Sequence, residues 1–120
     1  MAVQSYRELI VWQKAMELAK EVYLVTQSFP AEERFGLTSQ VRRAAVSIAS
    51  NIAEGQGRFS TGEFKQFLGH ARGSLYEVET QMQLARDLGF INAAQHESAE
   101  KRSTEVAKLL NGLIRSLPSH

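Results

Sequence analysis

A chain of 120 residues that is 43% hydrophobic and 22% charged, with two prolines, reads as one globular domain over residues 1–120. That length buries roughly two-thirds of the unfolded surface without a staple, and the absence of cysteine removes disulfide scaffolds, zinc–thiolate sites, iron–sulfur clusters and thiol catalysis. A net charge of +1 creates no global field towards nucleic acid, membrane or acidic partners. The start, MAVQSYREL, lacks a secretory pattern, and the longest apolar run, Leu9 to Trp12, is too short to span a bilayer, so a cytoplasmic location is expected.

Ser5 with Glu8 forms a capping box, which predicts a first helix from about Tyr6 to Ser28, where Phe29-Pro30 stops it. Its apolar residues fall into two stripes. Leu9, Trp12, Met16, Ala19 and Tyr23 form one; Val11, Ala15, Leu18, Val22 and Val25 form the other. Together they exceed the width one helix needs within a single-chain bundle. The expectation is that the second stripe, with Val11, Leu18 and Val22, is buried against another subunit; the alternative is a deeply seated helix with some exposed apolar residues.

Residues 30–36 read as a loop, and a second helix is predicted from about Thr38 to Gly55-Gln56-Gly57. Val41, Ala44, Ala45, Ile48 and Ile52 make its core stripe. Beside it runs a polar stripe of Gln40, Arg43, Ser47, Asn51 and Glu54. This stripe is either a solvated face or, given its small and amide groups, a hydrogen-bonded surface between helices or subunits.

Ser60 with Glu63 opens a third helix, ending at Gly89. Phe64, Phe67, Ala71, Leu75, Val78, Met82 and Ala85 mark its core side; Glu63, His70, Ser74, Glu77 and Gln81 form a polar stripe next to it. Gly69 and Gly73 cost about 0.8–1 kcal/mol each inside a helix. Close approach of a neighbouring backbone or large side chain is the expected compensation, with a ligand groove as the alternative. Asn92 with Gln95 opens a fourth helix, polar to Glu105 and apolar from Val106 to Leu117, whose start is expected to project towards solvent or to bound the open end of the bundle. No segment alternates as a strand does. The pattern predicts an all-α, antiparallel up-down-up-down four-helix bundle.

No catalytic or metal constellation emerges. Phe67 and Ala93 stand three residues before His70 and His96, so the Glu-x-x-His pairs of di-iron bundles are missing. There is no His-x-x-x-His pair, P-loop or dinucleotide fingerprint. Arg115 and His120 have the spacing of the HEPN-type ribonuclease motif, but Pro118 breaks the helix that motif needs. The chain is therefore read as non-catalytic, with no cofactor and no metal. Arginines offer more. Between residues 34 and 58, Arg34, Arg42, Arg43 and Arg58 stand against Glu54 alone, a local excess of +3. With Arg72 they suit bidentate phosphate contacts, or ion pairs between subunits with Glu32, Glu33, Glu54 or Glu77.

The stretch from Leu37 to Gly55, LTSQVRRAAVSIASNIAEG, then Arg58 and Ala71-Arg-Gly-Ser-Leu-Tyr-Glu, resembles the 23S rRNA intervening-sequence proteins. Leu9-Ile-Val-Trp-Gln-Lys-Ala and Phe29-Pro30 fit as well, with alanine at position 49 where proline is common in the family. The resemblance implies a bundle that assembles into a ring, typically a homopentamer. It also implies similarity to the accessory variability proteins of diversity-generating retroelements, which work beside a reverse transcriptase. The resulting expectation is a nucleic-acid-associated accessory or scaffold protein, with Arg42, Arg43, Arg58 and Arg72 on phosphates. Gln40, Ser47, Asn51, Glu54, Ser74 and Glu77 would form a subunit interface or polar network. The alternative is a structural or protein-binding module in which the arginines hold subunits together.

Overall fold

The computed structural model describes residues 5–118. Among them are four α-helices and no strand: α1 (Ile10–Val25), α2 (Leu37–Gln56), α3 (Thr61–Asp87) and α4 (Ala93–Ser116). The position of His120 lies outside the described residues.

The first predicted helix is shorter than its pattern. The Ser5 hydroxyl accepts the Arg7 amide at 3.1 Å, opening a 3₁₀ turn over Tyr6–Glu8. Leu9 is then extended, at φ −73° and ψ 123°, so α1 begins only at Ile10. At the far end Thr26 donates its hydroxyl to the Val22 carbonyl at 2.7 Å, and a 3₁₀ turn over Thr26–Ser28 leads into Phe29-Pro30. A side chain competing for helix carbonyls is a common way for a helix to end.

The other boundaries follow their caps closely. Ser60 accepts the Glu63 amide at 3.2 Å. Asn92 and Gln95 form a complete reciprocal capping box, with bonds of 2.8 and 2.9 Å. Beyond α3, Gly89 takes φ 78°, while Phe90 and Gly89 donate to the Ala85 and Arg86 carbonyls. This is a Schellman close, and the left-handed residue it requires is the glycine.

Helix α1 packs on α2 and α4, and α3 packs on the same two, closing a cycle around one apolar core. Leu18, Ile48, Ile52, Leu68, Leu75 and Leu110 are its largest fully buried side chains. Between α2 and α3, Gln40 meets Gln81, Ser47 meets Ser74, and Gly55 meets Phe67. Between α1 and α4, Lys14 meets Glu105, Glu17 meets Arg102, and Glu21 meets Ser98. In both seams residue numbers rise on one helix as they fall on the other.

Two expectations are corrected here. Val11, Leu18 and Val22 do not face another subunit: they are 4%, 0% and 0% exposed within this single chain and form part of its core. The half-exposed stripe of α1 is the other one, with Leu9, Trp12 and Met16. A wheel shows two apolar stripes but not which one the neighbouring helices cover. Nor does the polar first half of α4 project away. Ala99 and Ser103 are buried, and Arg102 holds Glu17 at 3.1 Å and Glu21 at 3.4 Å.

Candidate functional site

The predicted phosphate-binding arginines do not form one patch. Arg42 and Arg43 lie in the first half of α2, whereas Arg58 follows its C-terminus, about 20 Å or more away at 1.5 Å per residue. Arg58 stacks 4.5 Å from the centre of the Phe67 ring and reaches Glu54 at 3.5 Å. Arg72 donates to the Asn111 side chain of α4 at 3.0 Å. The structure instead brings Arg34 to Arg42 and Arg43, around a groove of about 520 Å³ at the head of α2.

This groove combines charge with aromatic surface. Arg42 is anchored: its Nε donates to Thr26 Oγ1 at 2.8 Å, and its guanidinium lies 4.6 Å from the centre of the Tyr23 ring. These contacts tie α2 to the end of α1 and hold the cation in place. Arg34 lies 5.3 Å over Phe35, a side chain that is 88% exposed. Arg43 is exposed and makes no ion pair among the described residues. Thr38 and Ser39, in the first turn of α2, complete the wall. First-turn amides lack helical acceptors, and the helix dipole adds partial positive charge there. The amide of Leu37 is already taken by Glu33 Oε1 at 3.0 Å. Chemically the groove can accept an anion, with flat rings for stacking beside it.

Val46 joins this groove to a second one between α1 and α2, of about 310 Å³. Trp12, Met16 and Ala19 line one wall; Ala49 and Ala53 line the other. Tyr6 closes its end, edge-on to Trp12 at 5.2 Å between ring centres.

The predicted polar network is partly assembled inside the chain. Ser47 and Ser74 hydroxyls lie 2.9 Å apart, and Asn51 donates to both the Ser47 carbonyl and its hydroxyl at 2.9 Å. Gln81 donates to Gln40 at 3.4 Å. Glu54 turns to Arg58, and Glu77 is exposed without an ion pair among the described residues. So Ser47 and Ser74 join α2 to α3 inside one subunit, and Asn51 supports Ser47 from within α2.

Within the chain the glycine expectation finds no support at two positions and holds at a third. A Cβ added at Gly69 or Gly73 would meet nothing within 4 Å, so no close neighbour in this chain explains either residue. Gly55, read as a helix terminator, lies inside α2 and is buried. There a Cβ would stand 2.7 Å from Phe67 Cβ and 3.0 Å from Phe64 Cδ1. Only the Phe64/Phe67 spacing on the facing helix carries a signal for that contact. The Tyr23 and Phe35 contribution to the basic groove was also missed, because Tyr23 reads as part of an apolar stripe and Phe35 as loop.

Among the described residues no group of three or more His, Asp or Glu side chains could hold a metal ion. No helix among the described residues is long and apolar enough to cross a membrane. Comparison with known proteins adds the family. No curated protein matches the chain. A solved structure does: a protein with unknown function from the S23 ribosomal protein family of Bacteroides thetaiotaomicron VPI-5482. It is 30% identical, with a TM-score of 0.80 over 88% of this chain and 96% of that one. The family model described as 23S rRNA-intervening sequence protein matches residues 7–112. That match covers most of the 120 residues, including α1, α2 and α3, and the chain belongs to the 23S rRNA-intervening sequence protein family.

Proposed function

We propose that this chain is a non-catalytic, cytoplasmic, nucleic-acid-associated accessory or scaffold protein that works as a homo-oligomeric ring, with five subunits as the expected number. The observation carrying the nucleic-acid reading is the groove where Arg34, Arg42 and Arg43 stand beside Tyr23 and Phe35. Arginines supply phosphate contacts, and exposed rings supply stacking surface for unpaired bases. In this reading Arg58 and Arg72, engaged with Glu54, Phe67 and Asn111, contribute less than Arg34 and Arg43. The single domain is an antiparallel up-down-up-down bundle, a reading supported by the opposed numbering across the α2/α3 and α1/α4 seams. The ring reading is supported by the apolar groove between Trp12, Met16 and Ala49, where uncovered apolar surface favours association.

The test titrates fluorescent structured RNA and single-stranded DNA with the purified protein at about 50 and about 200 mM salt, where counterion release is plain. Arg34→Glu combined with Arg43→Glu leaves the anchoring Arg42 in place. The expected outcome is loss of binding, with helicity and oligomer mass unchanged. Unchanged binding in the double variant overturns the assignment. The second reading, a protein-binding module, is favoured by the apolar groove. It predicts no binding at low salt; a fall in oligomer mass when Met16→Glu places a charge in that groove tests the ring, which both readings share.

A further inference from the structure

On the side of the helix cycle away from the α1/α2 groove, α3 and α4 enclose a cleft of about 520 Å³. Glu79 comes from α3, and Glu100 and Ser103 come from α4. Glu100 and Ser103 are three apart, so they share a helix face. Met82 and Ala99, both buried, contribute apolar surface. Two features of this cleft leave acceptors open. Neither Glu79 nor Glu100 forms an ion pair with a described residue, as is also true of Glu77 at the surface. Ser103 is only 3% exposed, lines the cleft, and its hydroxyl has no hydrogen-bond partner among the described residues.

We infer that this cleft is a binding site for a small aliphatic ammonium ion, held by Glu79, Glu100 and Ser103, with its methylenes on Met82 and Ala99. An ammonium offers three donors, and three groups with free acceptor capacity line the cleft. Its positive charge offsets two carboxylates that otherwise repel each other. Burial of Glu79, and then the like charge of Glu100, raises the Glu79 carboxyl above its ordinary 4.5 in the unliganded chain. The other titratable or charged groups nearby are His96 in the same cleft, and Lys108 and Arg115 in an adjoining groove that Glu79 itself also lines. Those two cations favour a ligand with one ammonium over a diamine, because a second positive charge directed along α4 would meet them.

The test is calorimetric titration of the full chain with n-butylammonium chloride at neutral pH, with n-butanol as the neutral control and amide NMR shifts as the map. Saturable binding by the amine alone is expected, with shifts centred on Glu79, Glu100 and Ser103. Glu79→Gln with Glu100→Gln should weaken it at least about tenfold, the effect of losing about 1.4 kcal/mol. Affinity should fall as the pH drops through the raised Glu79 value towards 4.5, because protonation removes the negative charge. Glu79→Gln also supplies a check on folding. A carboxyl with a raised folded-state value makes the fold gain stability as the pH falls through that value. The Gln variant should therefore melt above the parent at neutral pH, with the gap closing below 4.5. Absence of saturable amine binding, equal binding by butanol, or unchanged affinity in the folded double variant overturns the site.

Discussion

The two seams made by α3 differ in kind. Against α2 it approaches so closely that Gly55 has no room for a methyl group, and a serine pair 2.9 Å apart lies between the helices. Against α4 it leaves a cleft of about 520 Å³ with two carboxylates lacking ion-pair partners. The difference traces to the facing side chains. On α2 they are Ser47, which bonds across the gap, and Gly55, which leaves no side chain in it. On α4 they are Glu100, Ser103 and Thr104, opposite Glu79 on α3, and the two carboxylates repel rather than bond across the cleft. Helix α4 meets α1 quite differently, through Lys14, Glu17, Arg102 and Glu105, where signs alternate and pair. Each such exposed pair contributes roughly 0.2–1 kcal/mol, so the ladder matters more for register than for stability.

Three substitutions break or sharpen this contrast. Gly55→Val should have the largest effect. Its side chain would overlap the Phe64 and Phe67 side chains, and overpacking of this sort costs about 1–3 kcal/mol. A domain of this size then melts several degrees lower by calorimetry, at about 4–8 °C per kcal/mol for domains somewhat smaller. Unaltered melting would mean that α2 and α3 are not in close contact at Gly55. Next is Ser74→Ala, which removes the partner of Ser47 and should cost about 0.5–1.5 kcal/mol in chemical denaturation. The smallest effect has the opposite sign. Gly73→Ala adds a methyl where nothing lies within 4 Å, so it should raise stability by about 0.8–1 kcal/mol through helix propensity. A fall in stability or a change in oligomer mass there would show that another subunit covers Gly73.

Helix number, class and most boundaries were legible because they rest on local signals. Ser60, Asn92, Gln95 and Gly89 act on backbone groups within a few residues, and such bonds form wherever the rest of the chain goes. The first helix misled because Leu9 breaks it in an extended conformation that its apolar spacing does not betray. The polar stripes were half legible. Their composition suggested hydrogen bonding between helices, and Ser47 and Ser74 do so with Asn51 bonding Ser47 along α2, while Glu54 and Glu77 remain at the surface. The arginine site was legible in kind but not in membership. Proximity in sequence favoured Arg58, whereas the turn before α2 delivers Arg34 and Phe35 to the same groove as Arg42.

By itself the sequence determined what depends on neighbours a few residues away: four helices, their caps, the residues apolar enough for a core, and a family pattern running through α2 and α3. Only the tertiary structure decided which of two apolar stripes on α1 became the core, which glycine permits close approach, and which charges remain unpaired. Those outcomes depend on the distance and rotation between helices far apart in the chain. They are set by the summed packing of all four helices, and no single helix encodes that sum.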